Sequence, residues 1–402
     1  MSLAGRDLEA LNQPVLDWSA RTDPPGSRAD PLLALADRCV QCGLCLPSCP
    51  TYQLDRIETE SPRGRIALAH AFADGALQPD PAADAHLDHC LGCRRCEAVC
   101  PAGVQYGELL TETRRRQRER RGAGLRQRMI EWLAAHPALL DRLLGVYRTL
   151  HPLLPKLLPR PPRKTRIDIT RRAAEPRSKV ALFRGCVARR YDATAHAALA
   201  KLCDAAGFDI TLPDTQTCCG ALHAHSGTSD VAAELGRRNR TAFVAGVPVI
   251  SSATGCHESL ANALDGHAPV RDACAFLLPH VHALHFRPAH QRIALHIPCT
   301  QRAVVKSDPA LRALLARIPQ LEIVELRDTG CCGAAGTYMF DQPDRADALR
   351  RPVLDALAAS GATVLLSANI GCRLHIAMGG IDLPILHPLQ FLAEHLVEQQ
   401  SA

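Results

Sequence analysis

Short apolar runs alternate with amphipathic stretches throughout residues 180–366. The apolar runs predict β-strands at 180–183, 208–212, 247–250, 293–297, 321–326 and 363–366, and the stretches between them predict helices at 192–206, 230–245, 309–317 and 344–359. The second half of this series repeats the order of the first half. The pattern therefore predicts a duplicated α/β unit.

The N-terminal half has a different pattern. Residues 1–35 contain scattered prolines, which predict irregular structure. Further on, Ser61 and Pro62 predict a helix start, because serine caps the first turn and proline fits the first helical position. Leucines spaced three and four residues apart from Leu139 onward predict an amphipathic helix up to about Pro152.

Cysteine positions also follow the duplication. The first copy contains Cys186, Cys218, Cys219 and Cys256, and the second contains Cys299, Cys331, Cys332 and Cys372. In both copies the single cysteine precedes the Cys-Cys-Gly sequence by 32 positions. Because open α/β sheets place sites at the carboxyl ends of strands, the four thiols of each copy are expected to meet. A metal centre, a redox-active disulfide and structural packing all remain open as explanations. Cys203 and Cys274 fall outside the pattern and are predicted core thiols.

Eight further cysteines form two runs of the type C-x2-C-x2-C-x3-C-P, the sequence that holds 4Fe-4S clusters. In two-cluster ferredoxins the fourth thiolate crosses to the other cluster. Crossing would assign Cys39, Cys42, Cys45 and Cys100 to the first cluster, and Cys49, Cys90, Cys93 and Cys96 to the second. Zinc usually takes two separated pairs, and a chain of 402 residues has little need of disulfides, so both alternatives are disfavoured.

Charge is concentrated in one segment. The net charge is +6, but residues 112–166 contain 15 Arg and Lys against four Asp and Glu. Three interpretations remain open for this basic segment: a helix packed across the protein's own domains with solvated arginines, docking to an anionic membrane or an acidic partner, and nucleic-acid binding. No motif that reads nucleic acid accompanies the charge, so no nucleic-acid partner is expected.

Length and composition predict a globular protein of two or three domains. No apolar run approaches the ~20 residues that a membrane-spanning helix needs. Residues 1–14 have no apolar core of a secretory signal, which favours the cytoplasm. The fold class predicted is multidomain α+β and α/β. A helical ferredoxin-like domain at 1–110 and a basic helical linker at 111–178 precede cysteine-rich repeats at 179–290 and 291–402.

The stretch Ser61–Pro62–Arg63–Gly64–Arg65 lies between the two tetrads. Its arginines are either ordinary surface charge or compensation for two thiolate-rich clusters, which would raise the cluster potentials. The histidines His280, His282, His285 and His290 lie between the two repeats, and their spacing predicts a strand and linker with a structural role. His223 and His225 follow Cys219 and could line the site of the first repeat.

Taken together, the tetrads, this arginine stretch and the two Cys-Cys-Gly repeats resemble the iron-sulfur subunit of glycolate oxidase. The resemblance runs from about residue 36 to the end. It implies two 4Fe-4S clusters, whereas an additional metal or cluster at the repeats stays open. It also implies a partner FAD subunit that oxidises glycolate, a membrane quinone as acceptor, and a position in the cytoplasm or on the inner face of the membrane. The chain itself is then expected only to transfer electrons, because it has no dinucleotide-binding motif.

Related subunits serve D-lactate and glycerol-3-phosphate dehydrogenases, so these remain alternatives. A heterodisulfide-reductase-like thiol-disulfide reductase is another. Those reductases close each repeat with a fifth cysteine, whereas Ser259 and His375 occupy the corresponding positions here. The resemblance therefore favours electron transfer over disulfide reduction. His375 is expected either to replace the missing thiol as a ligand or to form a hydrogen bond in the core.

Overall fold

The computed structural model describes residues 30–153, 158–165, 167 and 177–397. Predictions for residues 1–29 and for parts of the basic segment, including Leu154, Lys156 and Leu157, lie outside these ranges. The helices are α1 Pro31–Ala36, α2 Pro50–Asp55, α3 Pro62–Ala73, α4 Pro81–Asp88, α5 Arg95–Ala98, α6 Tyr106–Arg121, α7 Leu125–Ala135, α8 Pro137–Leu150, α9 Ala188–Tyr191, α10 Ala193–Ala205, α11 Ala221–His225, α12 Ser229–Ala242, α13 Thr254–Leu264, α14 Ala273–Leu277, α15 Asp308–Leu315, α16 Tyr338–Asp341, α17 Pro343–Ala359, α18 Ile370–Ala377 and α19 Pro388–His395.

The strands form two parallel sheets of four strands each. They are β1 Ser178–Phe183, β2 Phe208–Thr211, β3 Val249–Ser251, β4 Val270–Asp272, β5 Gln291–Leu295, β6 Leu321–Glu325, β7 Val364–Leu366 and β8 Ile385–Leu386. The strand orders are β2-β1-β3-β4 and β6-β5-β7-β8, so the two sheets have the same topology. This confirms the predicted duplication. Sequence analysis missed β4 and β8, which are edge strands of only three and two residues.

One hydrophobic core joins the two sheets. Leu182 and Ile250 from the first sheet belong to the same buried cluster as Ile293 and Leu295 from the second. The central strands β1 and β5 carry apolar side chains on both faces because helices cover both sides of their sheets. Cys203 and Cys274 lie in this cluster at 0% and 2% exposure, which confirms that they are core thiols.

The N-terminal region is helical, and its core surrounds the tetrads. Leu32, Ile66 and Leu109 pack in one cluster together with Cys90 and Cys96. Helix α3 begins as predicted: the Ser61 hydroxyl accepts a hydrogen bond of 2.9 Å from the backbone N–H of Gly64.

The basic segment contains the amphipathic helix predicted from Leu139 to about Pro152, which is α8, Pro137–Leu150. Two further helices, α6 and α7, precede it, with breaks near Gly122 and at His136. Glycine and proline explain the two breaks, because neither favours a helix interior.

The arginines of α6 are not simply solvated. Arg116 pairs with Asp30, Arg118 with Glu131, Arg120 with Asp84 and Arg121 with Asp88. These pairs bind α6 to the helices on both sides of it. This arrangement agrees with the interpretation of the segment as a helix packed across the protein's own regions, except that these arginines are ion-paired rather than only solvated. Sequence spacing does not reveal such partners.

The histidine-rich stretch between the repeats also differs from the prediction. Leu278–Ala283 forms a 3-10 helix where a strand was expected. The His280 ring lies edge-on to Phe208 with ring centroids 4.8 Å apart. Its role is packing, in agreement with the structural role predicted.

Asp272 provides a test of how pH affects stability. It caps α14 by accepting hydrogen bonds from the N–H groups of Cys274 and Ala275, and burial raises its pKa to about 6. The unfolded-state pKa is lower, so the contribution of Asp272 to stability is full below about pH 4 and is lost as pH rises through 6. Asn also caps helices. We therefore expect Asp272→Asn to raise the free energy of unfolding at pH 8 by about 3 kcal/mol.

Urea unfolding of both chains at pH 4 and pH 8 measures this difference. The gain at pH 8 is expected to disappear at pH 4, where the carboxyl is neutral in the folded state. An equal gain at both pH values would contradict the assignment.

Candidate metal centres

The eight tetrad cysteines line two adjoining cavities. Cys39, Cys42, Cys45, Cys96 and Cys100 border the first cavity, and Cys49, Cys90, Cys93 and Cys96 border the second. Cys100 thus comes from the second tetrad to the first cavity, and Cys49 from the first tetrad to the second. Cys96 borders both, so the two cavities adjoin.

The two cavities differ in their access to solvent. Cys42 is exposed, and its neighbours Val40 and Leu44 are 68% and 59% exposed. At the second cavity, Cys49, Cys90 and Cys96 are buried. The first cavity is therefore the more exposed of the two, whereas three of the four cysteines proposed for the second are buried and Cys93 is half-buried.

The donor set of the two cavities fits iron-sulfur clusters. Burial, and then the neighbouring thiolates of Cys93 and Cys90, raise the pKa of Cys96 well above its ordinary value. Burial likewise raises the pKa of Cys93. Thiols crowded in this way cannot all ionise unless a cation compensates their charge, and thiolate is the form that binds iron. Cys39, Cys42, Cys45 and Cys100 could hold one cluster, and Cys49, Cys90, Cys93 and Cys96 the other.

Arg65 lies beside the second cavity and is 1% exposed, so it is not surface charge. Its guanidinium donates to Glu60 Oε2 at 2.5 Å and to Thr51 Oγ1 at 2.9 Å, and lies 4.0 Å from Cys49 Sγ. Burial opposes its charge, but Cys90, Tyr106, Cys49 and Glu60 outweigh that effect and raise the pKa of Arg65. Its position fits the predicted role of compensating thiolate charge.

Arg63 is more exposed and contacts the first tetrad loop. It donates to the Gln41 carbonyl at 2.9 Å and pairs with Glu58 at 2.7 Å. Arg63 thus positions a loop, whereas Arg65 supplies buried charge.

Glu60 is the centre of a buried polar network. Its Oε1 accepts hydrogen bonds from His86 Nδ1 and His89 Nδ1, each at 2.7 Å. Burial favours the neutral acid, but these histidines and Arg65 lower the pKa of Glu60 to about 2. The three side chains have the spacing of a metal site. Arg65 and Arg345 already neutralise the carboxylate, so a further cation is disfavoured there.

The thiols of each cysteine-rich repeat meet as predicted from their positions after strands. In the first repeat, Cys218 Sγ lies 3.6 Å from Cys186 Sγ, and Cys219 contacts both Cys218 and Cys256. In the second repeat, neighbouring thiols are in contact in the matching order Cys299, Cys331, Cys332 and Cys372. Contact with Cys218 and burial raise the pKa of Cys186, and contact with Cys331 and burial do the same for Cys299. Four crowded thiols fit a metal centre, although this geometry alone also permits thiol chemistry.

The glycine that follows each cysteine pair has a steric role. Gly333 has φ of +78°, and a Cβ there would lie 2.4 Å from the Ala346 carbonyl oxygen. The matching Gly220 has φ of +85° and more space, with the nearest atom of Ala232 at 3.1 Å. The chain therefore requires glycine in order to turn against the neighbouring helix.

Two of the histidines near the repeats form hydrogen bonds with backbone carbonyl groups. His375 Nδ1 lies 2.6 Å from the Cys332 carbonyl oxygen, so this histidine forms the hydrogen bond in the core that was one of its two expected roles. His223 Nε2 lies 3.1 Å from the Glu131 carbonyl oxygen, which connects the first repeat to α7. His225 lies next to Gly92 of the second tetrad loop.

Sequence analysis missed the side chains that join the regions of the chain. Arg94 pairs with Glu258 of the first repeat, and Arg345 of the second repeat pairs with Asp55 and Glu60. The single hint was sequence position, because Arg94 lies between two tetrad cysteines and Glu258 lies two residues after Cys256.

Comparison with known families agrees with this arrangement. The family of 4Fe-4S dicluster domains matches residues 35–104, and that of cysteine-rich domains matches residues 180–261 and 293–377. The protein is therefore an iron-sulfur protein that combines a dicluster domain with two cysteine-rich domains.

Relatives extend over most of the chain. A probable glycolate oxidase iron-sulfur subunit of Bacillus subtilis is 33% identical over 391 residues, which covers 85% of this chain and 88% of that protein. The glycolate oxidase iron-sulfur subunit of Escherichia coli is 29% identical, with coverages of 85% and 90%. A heterodisulfide reductase subunit of Methanosarcina barkeri is 24% identical, with coverages of 85% and 88%. The chain belongs to the family of glycolate oxidase iron-sulfur subunits.

Proposed function

We propose that this chain is the electron-transfer subunit of a glycolate-oxidising complex. It takes electrons from a partner FAD subunit, which converts glycolate to glyoxylate, and passes them towards a membrane quinone. The observation that carries the proposal is the pair of adjoining cysteine-lined cavities in a chain of this family. A 4Fe-4S cluster, when bound, accepts and releases one electron.

The chain's own residues prepare these sites. The proposed ligands are Cys39, Cys42, Cys45 and Cys100 for the first cluster and Cys49, Cys90, Cys93 and Cys96 for the second; the lining of the two cavities supports this crossed assignment. Arg65 places positive charge beside Cys49. Apolar residues such as Ile66 and Leu109 keep water away from the buried thiols. The exposed edge at Cys42 is the proposed entry point for electrons from the partner.

Anaerobic mixing with the partner flavoprotein tests this proposal. We expect glycolate to bleach the iron-sulfur absorbance only when the flavoprotein is present. D-lactate and glycerol 3-phosphate, each given with the same flavoprotein, serve as matched controls for the substrate. If dithionite reduces the clusters but glycolate and the flavoprotein do not, the chain is not the partner of a glycolate-oxidising enzyme.

Delivery to a quinone requires contact with the membrane surface, and α7 offers a suitable face. Leu125, Met129 and Trp132, spaced four and three residues apart, are 81%, 57% and 53% exposed. Arg126 and Arg128 lie on the same helix. Exposed apolar residues flanked by arginines favour an anionic lipid surface. Among the described residues no helix is long and apolar enough to cross a membrane, so the contact proposed is peripheral, on the inner face.

Vesicle flotation of the full chain tests this surface. Low-salt binding to vesicles containing anionic lipid is expected, and the double substitution of Met129 and Trp132 by glutamate should reduce it at least about tenfold. Val244→Glu is the control, because Val244 is 68% exposed but lies outside α7. Equal binding by all three chains, or no binding by the wild type, would rule out docking through α7.

A further inference from the structure

The two cysteine-rich repeats have the same fold and the same four thiols, but different neighbours. In the second repeat, Cys332 and Cys372 belong to a hydrophobic cluster against which Leu91 packs. Leu91 lies between Cys90 and Cys93, two proposed ligands of the second ferredoxin cluster. In the first repeat, Cys218 and Cys219 share their cluster with Ala134 of α7 instead.

Further contacts place the second repeat against the second ferredoxin cavity. Helix α5, which contains Cys96, contacts the π-helical turn Gln301–Val305 that follows Cys299. Arg345 of α17 forms ion pairs with Asp55 and Glu60, and Glu60 is the partner of Arg65. Thus the loop that carries one thiol of the repeat and the helix behind its cysteine pair both contact the dicluster domain.

The two thiol-bearing loops meet at this contact. Cys93 precedes helix α5 by two residues, and Cys299 precedes the π-helical turn Gln301–Val305 by two residues, so the contact between these elements brings the two loops together. Cys93 and Cys299 are both partly exposed. The first repeat contacts the same loop through the ion pair of Arg94 with Glu258 and through His225 beside Gly92, and neither contact involves a thiol.

We propose that the second repeat, and not the first, is the redox neighbour of the dicluster domain. Cys299, Cys331, Cys332 and Cys372 hold an iron-sulfur centre that exchanges electrons with the second ferredoxin cluster through Cys93. One electron leaves the ferredoxin cluster, which is oxidised, and reduces the centre at the repeat; no bond forms or breaks and no proton moves. The partner flavoprotein supplies the electron, so this inference rests on the proposed function. The route would run from the exposed Cys42 edge inward to the second repeat.

The duplication supplies a matched control for the test. Cys299→Ser and Cys186→Ser remove equivalent thiols from the two repeats and leave all eight tetrad cysteines intact. The full-length chains, reconstituted anaerobically with iron and sulfide, are titrated with dithionite and followed by electron paramagnetic resonance. Loss of the anionic centre near Cys93 should favour reduction of one ferredoxin cluster about tenfold, a shift of ~59 mV for one electron. Cys186→Ser should leave both potentials unchanged.

A second pair, Cys331→Ser and Cys218→Ser, repeats the comparison and decides the matter if a member of the first pair does not fold. Equal responses of the two repeats in either pair, including no response from both, would overturn the inference while leaving the proposed function intact. Absence of ferredoxin signals from the wild-type chain would instead contradict the proposed function itself.

Discussion

Replacement of Arg65 by methionine is expected to lower the free energy of unfolding by about 3–5 kcal/mol. Arg65 is 1% exposed and its partner Glu60 is equally buried, so the substitution leaves a buried carboxylate without its closest counter-charge. It also removes the hydrogen bonds to Thr51 Oγ1 and to the His86 carbonyl. Denaturant unfolding of the chain measures the loss.

The same substitution should change the second cluster. Without a positive charge 4.0 Å from Cys49 Sγ, reduction of that cluster becomes about tenfold less favourable, which corresponds to ~59 mV. Arg237→Met is the control, because Arg237 is 69% exposed and its pair with Glu234 should contribute less than about 1 kcal/mol. If both substitutions have equally small effects, Arg65 compensates no buried charge.

Substitution of Gly333 by alanine is the second change with a large expected effect, a loss of about 2–5 kcal/mol in the free energy of unfolding. The left-handed backbone costs an alanine about 1–2 kcal/mol. The added Cβ would also lie 2.4 Å from the Ala346 carbonyl oxygen, and such overpacking adds about 1–3 kcal/mol. The turn after Cys332 would have to move, and with it the thiols of the second repeat.

Two other glycines separate these contributions. Gly380 has φ of +75° and nothing within 4 Å of the position that a Cβ would take, so Gly380→Ala should show the backbone cost alone. Gly220→Ala should fall between, because its nearest atom is 3.1 Å away. Thermal or urea unfolding of the three variants measures the loss of stability in each and so gives the order of the three losses. Equal losses for Gly333 and Gly380 would show that steric contact with α17 is unimportant.

The local fold could largely be predicted from the sequence. Strands such as Ser178–Phe183 and Gln291–Leu295 contain apolar runs that are buried on both faces, so their pattern is strong. The start of α3 at Pro62 follows from a serine cap, which acts within three residues. The duplication was visible because cysteine spacing records it independently of hydrophobicity.

Long-range pairing could not be predicted in the same way. Arg65 and Arg63 are two residues apart and chemically identical, yet one is buried against Glu60 and the other lies at the surface. Only the packing of α3 distinguishes them. The same holds for the α6 arginines, whose partner Asp30 is 86 positions away from Arg116. The different surroundings of the two repeats also depend on how the regions assemble, which identical motifs cannot reveal.

The most direct test of the central claim is iron analysis combined with a dithionite titration followed by electron paramagnetic resonance, on the full chain purified without oxygen. Two 4Fe-4S clusters predict at least about eight irons per chain and signals from two reducible clusters close enough to interact. Colourless protein with fewer than about six irons after reconstitution, and no signal after dithionite, would contradict the account.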